Sequence, residues 1–232
     1  YKVSKLVIKI IMKKKQTKIY NDHFNKMIEL DKNKVILGSY SSYSWQNDPK
    51  HLVFSLARYK FVSKILNGKN NVLEIGAGDG FKSKIVDDTV KKLDLCDVTR
   101  SSKNEYDSYS PNKNKYFLHD FIQKPTKKKY DAIYSLDVIE HINKNKCNRF
   151  VKNMKNSLKS RGVLIVGTPS LSSQKYASKY SKKFHVNCFD KNELHVYMNK
   201  YFANVFTFGM NDEVVHTGYD KMCHYIFAIC IK

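Results

Sequence analysis

The segment that most constrains this chain is Val72-Leu73-Glu74-Ile75-Gly76-Ala77-Gly78-Asp79-Gly80-Phe81. A short apolar run that ends in glycines and passes into a helical pattern is a strand, a tight turn and a helix start. The third glycine follows the second by only two positions, so this is not the Gly-x-Gly-x-x-Gly spacing of dinucleotide-binding turns. Glu74 stands two positions before the first glycine. The spacing therefore gives a turn where backbone can approach a ligand closely, beside a carboxylate. Such a carboxylate suits a ligand with an ammonium group and would repel a pyrophosphate.

The rest of the chain repeats the strand–loop–helix pattern. Asp48-Pro49 reads as a helix start, with Leu52, Leu56, Tyr59, Val62, Ser63 and Leu66 at helical spacing behind it. A helix of about ten residues is expected from Phe81. Strands are expected at Lys92–Val98, Tyr116–His119, Tyr130–Leu136, Val163–Gly167, Val205–Phe208 and Tyr225–Ile231. Residues 99–114 read as a loop or a much-reduced helix. Cys147, Phe150, Val151, Met154 and Leu158 mark one helix face, stopped by Lys159-Ser160-Arg161-Gly162. Asp190 with Glu193 reads as a capping box for a helix to about Tyr201. The fold class expected is α/β, a doubly wound seven-stranded sheet with six parallel strands and the last in sequence antiparallel. Residues 1–30 read as a basic, poorly ordered tail, with Met12 a candidate start. Residues 31–232 read as one domain, in which 31–48 form an aromatic, lid-like loop carrying Tyr40, Tyr43 and Trp45.

Composition matters chiefly for what it excludes. The longest apolar candidate, Leu6–Met12, is broken by Lys9 and falls short of the ~20 residues of a membrane span. Five cysteines without a Cys-x-x-Cys pair argue against a disulfide framework and for a reducing, cytoplasmic setting. The formal charge of +21 comes from 42 Lys+Arg against 21 Asp+Glu. Only Arg58, Arg100, Arg149 and Arg161 are arginines, and the lysines are dispersed. That pattern reads as a solvated Lys-rich surface, not a specific nucleic-acid face, because bidentate recognition leans on Arg.

The residues from Glu74 to Gly80 resemble the first motif of the class I S-adenosylmethionine-dependent methyltransferases. The resemblance continues in order over roughly residues 50–232. It implies that Glu74, Gly76, Ala77, Gly78 and Gly80 hold the methionine end of the cofactor. Asp97 in Cys96-Asp97-Val98 is implied for the ribose, with Asp94 the rival position, and Asp120 and Phe121 are implied for the adenine. Tyr130–His141 is similar to the fourth-strand motif of small-molecule methyltransferases, including the ubiquinone-biosynthesis O-methyltransferases, and places Leu136 and Asp137 at the cofactor. Leu158–Pro169 resembles the usual helix–turn–fifth-strand segment. No Asn/Asp-Pro-Pro-Tyr/Phe and no Pro-Cys follows the fourth strand, which argues against methylation of DNA bases.

The expected acceptor is a hydroxyl or amine of a small metabolite or sugar-like compound. The alternatives are 2′-O methylation of RNA and cofactor binding without catalysis. His141 or His185 is the expected base, since imidazole titrates near neutral pH. Tyr40, Tyr43, Trp45, Gln174, Tyr176 and Asn187 are the expected acceptor contacts. Asp137, Glu140, His141 and His185 also resemble a divalent-metal set, as in the ubiquinone-type enzymes and small-RNA 3′-terminal 2′-O-methyltransferases. The residues alone favour a plainer reading, in which Glu140 and His141 cap the short helix after the strand.

Overall fold

The computed structural model describes residues 2–30, 35–110 and 114–232, with side chains in the first of these segments from Met12 to Glu29. It divides into two compact units, Tyr1–Ile36 and Leu37–Lys232. The first is one helix, α1 (Lys2–Leu30), where a tail is expected. Its described side chains are all exposed.

The second unit holds the sheet. In chain order it comprises α2 (Ser39–Asn47), α3 (Pro49–Leu66), β1 (Val72–Ile75), α4 (Lys84–Asp87), β2 (Leu93–Asp97) and α5 (Arg100–Tyr109). These are followed by β3 (Lys115–Leu118), β4 (Tyr130–Leu136), α6 (Lys144–Ser157), β5 (Leu158–Pro169) and α7 (Lys179–Phe184). The chain closes with α8 (Lys191–Asn199), β6 (Asn204–Asn211), β7 (Val214–His216) and β8 (Tyr225–Ile231). Strand order is β3-β2-β1-β4-β5-β8-β6-β7. The first five strands pair in parallel, while β8 runs antiparallel to both β5 and β6. The expected seven-stranded arrangement is therefore present, extended by β7, a three-residue strand that pairs back on the end of β6. Asp212, at φ 47°, makes that tight return.

Strand periodicity places alternate residues in opposite layers. In β8, Ile226, Ala228 and Cys230 pack with Met154 of α6 and Leu194 of α8, whereas Tyr225, Phe227 and Ile229 pack with Tyr59 and Val62 of α3. Each large buried apolar side chain contributes about 1.5–3 kcal/mol. Asp48 caps α3, its carboxylate accepting from His51 N at 3.1 Å with Pro49 in the first turn. The Asp190–Glu193 capping box of α8 is formed in both directions.

Four local expectations need correction. The aromatic segment read as a loop is helical over Ser39–Asn47, while residues 31–34 lie outside the described residues. The helix after Phe81 shrinks to four residues, since acidic Asp87 and Asp88 sit at its carboxyl end and the Thr89 hydroxyl bonds back to Val86 O at 2.9 Å. Residues 100–109 form a full helix because Ser102 and Tyr106, one turn apart, are both buried; Pro111 lies outside the described residues. Finally, α6 ends at Ser157, and Leu158 already pairs with Tyr130; the bulge that follows contains Arg161 at φ 59°.

Candidate active site

A cavity of about 820 Å³ opens along the carboxyl ends of β3, β2, β1 and β4. In a doubly wound sheet this is where ligands bind. Its floor at β1 is the Gly76–Gly80 turn. Gly76 N and Ala77 N donate to Cys96 O at 2.9 and 3.1 Å, tying the turn to β2. Gly76 has φ 82°, and a Cβ there would lie 2.3 Å from Val138 Cγ2, so only glycine fits. Gly80, at φ 71°, is packed under Tyr106 and does not line the cavity.

Two carboxylates stand at neighbouring strand ends. Asp97 accepts from Gly78 N at 3.1 Å and from Thr99 N at 2.8 Å, so its orientation is fixed by backbone. Asp120 accepts from Ile122 N at 2.7 Å, and Phe121 beside it is buried. Val98, Ala77, Gly78 and Leu136 complete this part of the wall. Asp94, the rival to Asp97, is buried away from the cavity against Lys128 Nζ (2.7 Å) and Tyr130 Oη (2.9 Å).

Glu74 is placed differently from the sequence expectation. It is 1% exposed and absent from the cavity wall, with its oxygens accepting from Tyr59 Oη at 2.7 Å and Tyr134 Oη at 2.6 Å. Burial raises its carboxyl above the ordinary value, against the pull of those hydroxyl bonds. Glu74 thus braces the turn from beneath.

At the end of β4 the structure adds a residue that sequence reasoning missed. Arg58 of α3 reaches Asp137, its Nη1 donating to both carboxylate oxygens at 2.8 Å. Burial alone would raise the Asp137 carboxyl, but Arg58 and Lys82 beside it hold it below the ordinary value. Asp137 has φ 57°, a conformation uncommon outside glycine and concentrated at functional sites. Arg58 stacks over the Tyr225 ring at 4.0 Å. His51, also of α3, lines the same end; burial, then Arg58, lower its pKa.

Beyond Asp137 lies a second cluster. Ligand atoms of Glu140, His141 and His185 lie within 4.8 Å of one another, all at the cavity wall. Neither Glu140 nor His141 caps a helix through its side chain: Glu140 accepts from Thr168 Oγ1 at 3.0 Å, and His141 Nδ1 faces Phe184 O at 3.1 Å. Burial, then the charge of Asp137, push the Glu140 carboxyl up to about 8. His185 Nδ1 is 2.8 Å from Gln174 Oε1, and Gln174 Nε2 donates to Ser170 O at 3.2 Å, which fixes the amide. Both imidazoles thus face oxygen acceptors through Nδ1, so Nδ1 carries the proton and each Nε2 lone pair is free. Burial, then His141, lower the His185 pKa.

The lid side is α2. Asp79, from within the glycine turn, accepts from Ser41 N at 2.7 Å, and Glu105 accepts from Ser39 N at 2.6 Å, so both cap α2. Tyr40 and Tyr43 line the cavity. Trp45 and Tyr176, 57% and 81% exposed, do not. Asn187 is buried, its Nδ2 donating to Ile139 O at 3.4 Å, and Gln174 reaches the cavity only through His185.

Carboxylates fixed at consecutive strand ends, a glycine turn between them, and an imidazole–carboxylate cluster beyond define a class I S-adenosylmethionine-dependent methyltransferase. The chain belongs to the methyltransferase domain family, whose profile matches residues 49–205. No curated protein matches the sequence. Among solved structures, the fold is similar to the methyltransferase domain of a bacterial CtHen1, with TM-score 0.63 at 17% identity over 77% of this chain and 98% of that one. An S-adenosylmethionine-dependent methyltransferase from Clostridium acetobutylicum gives 0.64 at 12% identity over 83% and 97%. A possible histamine N-methyltransferase from Thermotoga maritima gives 0.62 at 17% over 77% and 89%. S-adenosylmethionine is the cofactor. Among the described residues, no helix is long and apolar enough to cross a membrane.

Proposed function

We propose that the chain methylates a hydroxyl group of a small-molecule acceptor, with Glu140, His141 and His185 as the acceptor-activating set. The carrying observation is that these three groups converge at the cavity wall with both Nε2 lone pairs free. When bound, S-adenosylmethionine supplies a methyl group already activated on its sulfonium. The cavity's task is then alignment, exclusion of water and removal of one proton. Asp97 would hold the ribose, Asp120 with Phe121 the adenine, and the Gly76–Gly80 turn the sulfur end. Tyr40 and Tyr43 on the capped helix α2 cover the opening and shield the reaction from water.

A hydroxyl is a weak nucleophile until its proton is engaged. His185 Nε2 is placed to accept it: Gln174 holds the ring, and burial lowers its pKa so that the neutral form prevails at neutral pH. The same set also fits a divalent cation, since two neutral imidazoles oriented through Nδ1 and one carboxylate form a usual nitrogen–oxygen ligand set. When bound there, such a cation would lower the pKa of an acceptor hydroxyl. Asp137, engaged by Arg58, stands outside this set.

An RNA ribose hydroxyl is the second reading. It is favoured by the segment after β5, where Lys175, Lys179, Lys182 and Lys183 alternate with exposed Tyr176 and Tyr180. Lysines can track phosphates and exposed aromatic rings can stack on bases. A labelled-methyl transfer assay over metabolite and RNA pools, run with EDTA and with added Mn²⁺, tests both readings. Transfer to a low-molecular-weight hydroxyl supports the first; salt-resistant transfer to RNA replaces it with the second. Transfer to an amine would overturn hydroxyl activation.

A further inference from the structure

We propose that Arg58 and Asp137 together form the receptor for the α-amino-acid end of the cofactor, the guanidinium taking its carboxylate and Asp137 its ammonium. This rests on the assignment of S-adenosylmethionine as cofactor and adds residues to it. Such a ligand carries a zwitterion at one end, and both charges need partners when the cavity closes around them. Glu74, the carboxylate nearest the glycine turn in sequence, is not available for the ammonium. Both its oxygens are taken by tyrosine hydroxyls and it is sealed from the cavity.

Asp137 is the carboxylate that faces the cavity beside that turn. β1 and β4 are neighbours in register, Ile75 opposite Ser135, so Gly76 and Asp137 leave adjacent strands side by side. Val138, next in sequence, touches the site where a Gly76 Cβ would stand. The Asp137 side chain is 31% exposed while that of Arg58 is 6% exposed. Arg58 is held flat on Tyr225, and its buried Nε has no partner. Its bonds to Asp137 use Nη1 alone, so the guanidinium retains donors for a carboxylate. Along the strand ends the order is Asp120, Asp97, glycine turn, then Asp137 with Arg58. Adenine and ribose contacts on one side and a zwitterion contact on the other span the ligand's two ends. The neutral pair keeps both charges partnered when no ligand is bound, and a net-neutral zwitterion inserts without leaving a buried charge unpaired.

Calorimetric titration of the full chain with S-adenosylhomocysteine and with 5′-methylthioadenosine tests this, because the second ligand lacks only the amino-acid end. S-adenosylhomocysteine should bind the unmodified chain on the order of 100-fold more tightly, from charge-assisted bonds at that end. In Arg58→Leu this preference should shrink to about tenfold or less, with methylthioadenosine affinity unmoved. Arg58→Lys should restore part of it. If Arg58→Leu does not fold, Asp137→Asn tests the same receptor, weakening S-adenosylhomocysteine by roughly tenfold and leaving methylthioadenosine alone. An unchanged preference in a folded variant overturns the proposal, as does equal loss of both ligands, which makes the pair structural. If the unmodified chain binds neither ligand, the cofactor assignment falls with it.

Discussion

The two halves of the cavity are built on different principles. On the β1–β3 side, functional groups are strand-end residues held by backbone close by in sequence: Asp97 by Thr99 N and Asp120 by Ile122 N, each two positions away. On the β4–β5 side, groups are held by side chains and backbone from distant segments. Arg58 reaches Asp137 over 79 positions, Phe184 meets His141 over 43, and Thr168 meets Glu140 over 28. The first half is a local construction that any correctly folded chain of this pattern reproduces. The second exists only when four segments of the fold meet, and so it can vary without disturbing the first.

If the halves are separable, mutations should divide cleanly. The largest effect is expected on the acceptor side: His185→Ala should lower methyl transfer by ~10²-fold or more while S-adenosylhomocysteine affinity stays intact. Equal loss of binding and stability would make His185 structural. On the other side, Asp97→Ala should weaken S-adenosylhomocysteine by about 1.5–3 kcal/mol in calorimetry, since a charged acceptor is lost. Unchanged affinity would remove Asp97 from the ribose.

A stability test sharpens the local character of the glycine turn. Gly76→Ala must place a Cβ against Val138 at a left-handed φ of 82°, so thermal unfolding should show a loss of roughly 1–3 kcal/mol. A variant as stable as the parent would mean that the turn adapts. The smallest effect is expected at Trp45→Ala, which lies outside the cavity and 57% exposed. Unfolding free energy should move by less than about 0.5 kcal/mol and transfer should not change. A loss of transfer there would bring Trp45 into the lid.

This division also explains what could be read from the sequence. β1, β4 and β8 fall at the residues the apolar runs indicate, and the Asp48–Pro49 and Asp190–Glu193 helix starts form as capping chemistry dictates. Those signals are local. Helix α5 is hidden in the sequence because its polar residues mask two buried positions, Ser102 and Tyr106, which matter only once they pack under the glycine turn. α1 shows little amphipathic pattern, and its described side chains are all exposed. Glu74 looks like a ligand contact by spacing, and only the tyrosines arriving from α3 and β4 reveal it as a buried brace. Arg58 carries no sequence signal at all: it is one residue on a helix whose other inward positions are ordinary core. His141 and His185 stand 44 positions apart in sequence (185 − 141), and only folding brings their rings to 5.1 Å.

The most direct test of this two-part cavity is a paired measurement on the unmodified chain and Glu140→Gln, of S-adenosylhomocysteine affinity and of methyl transfer to the hydroxyl acceptor found by the labelled screen. Affinity should stay within about twofold of the parent and transfer should fall by ~10²-fold or more, because the variant keeps the cofactor half and removes a carboxylate from the acceptor half. Transfer that survives the substitution, or affinity that falls with it, would contradict the division on which the proposed function stands.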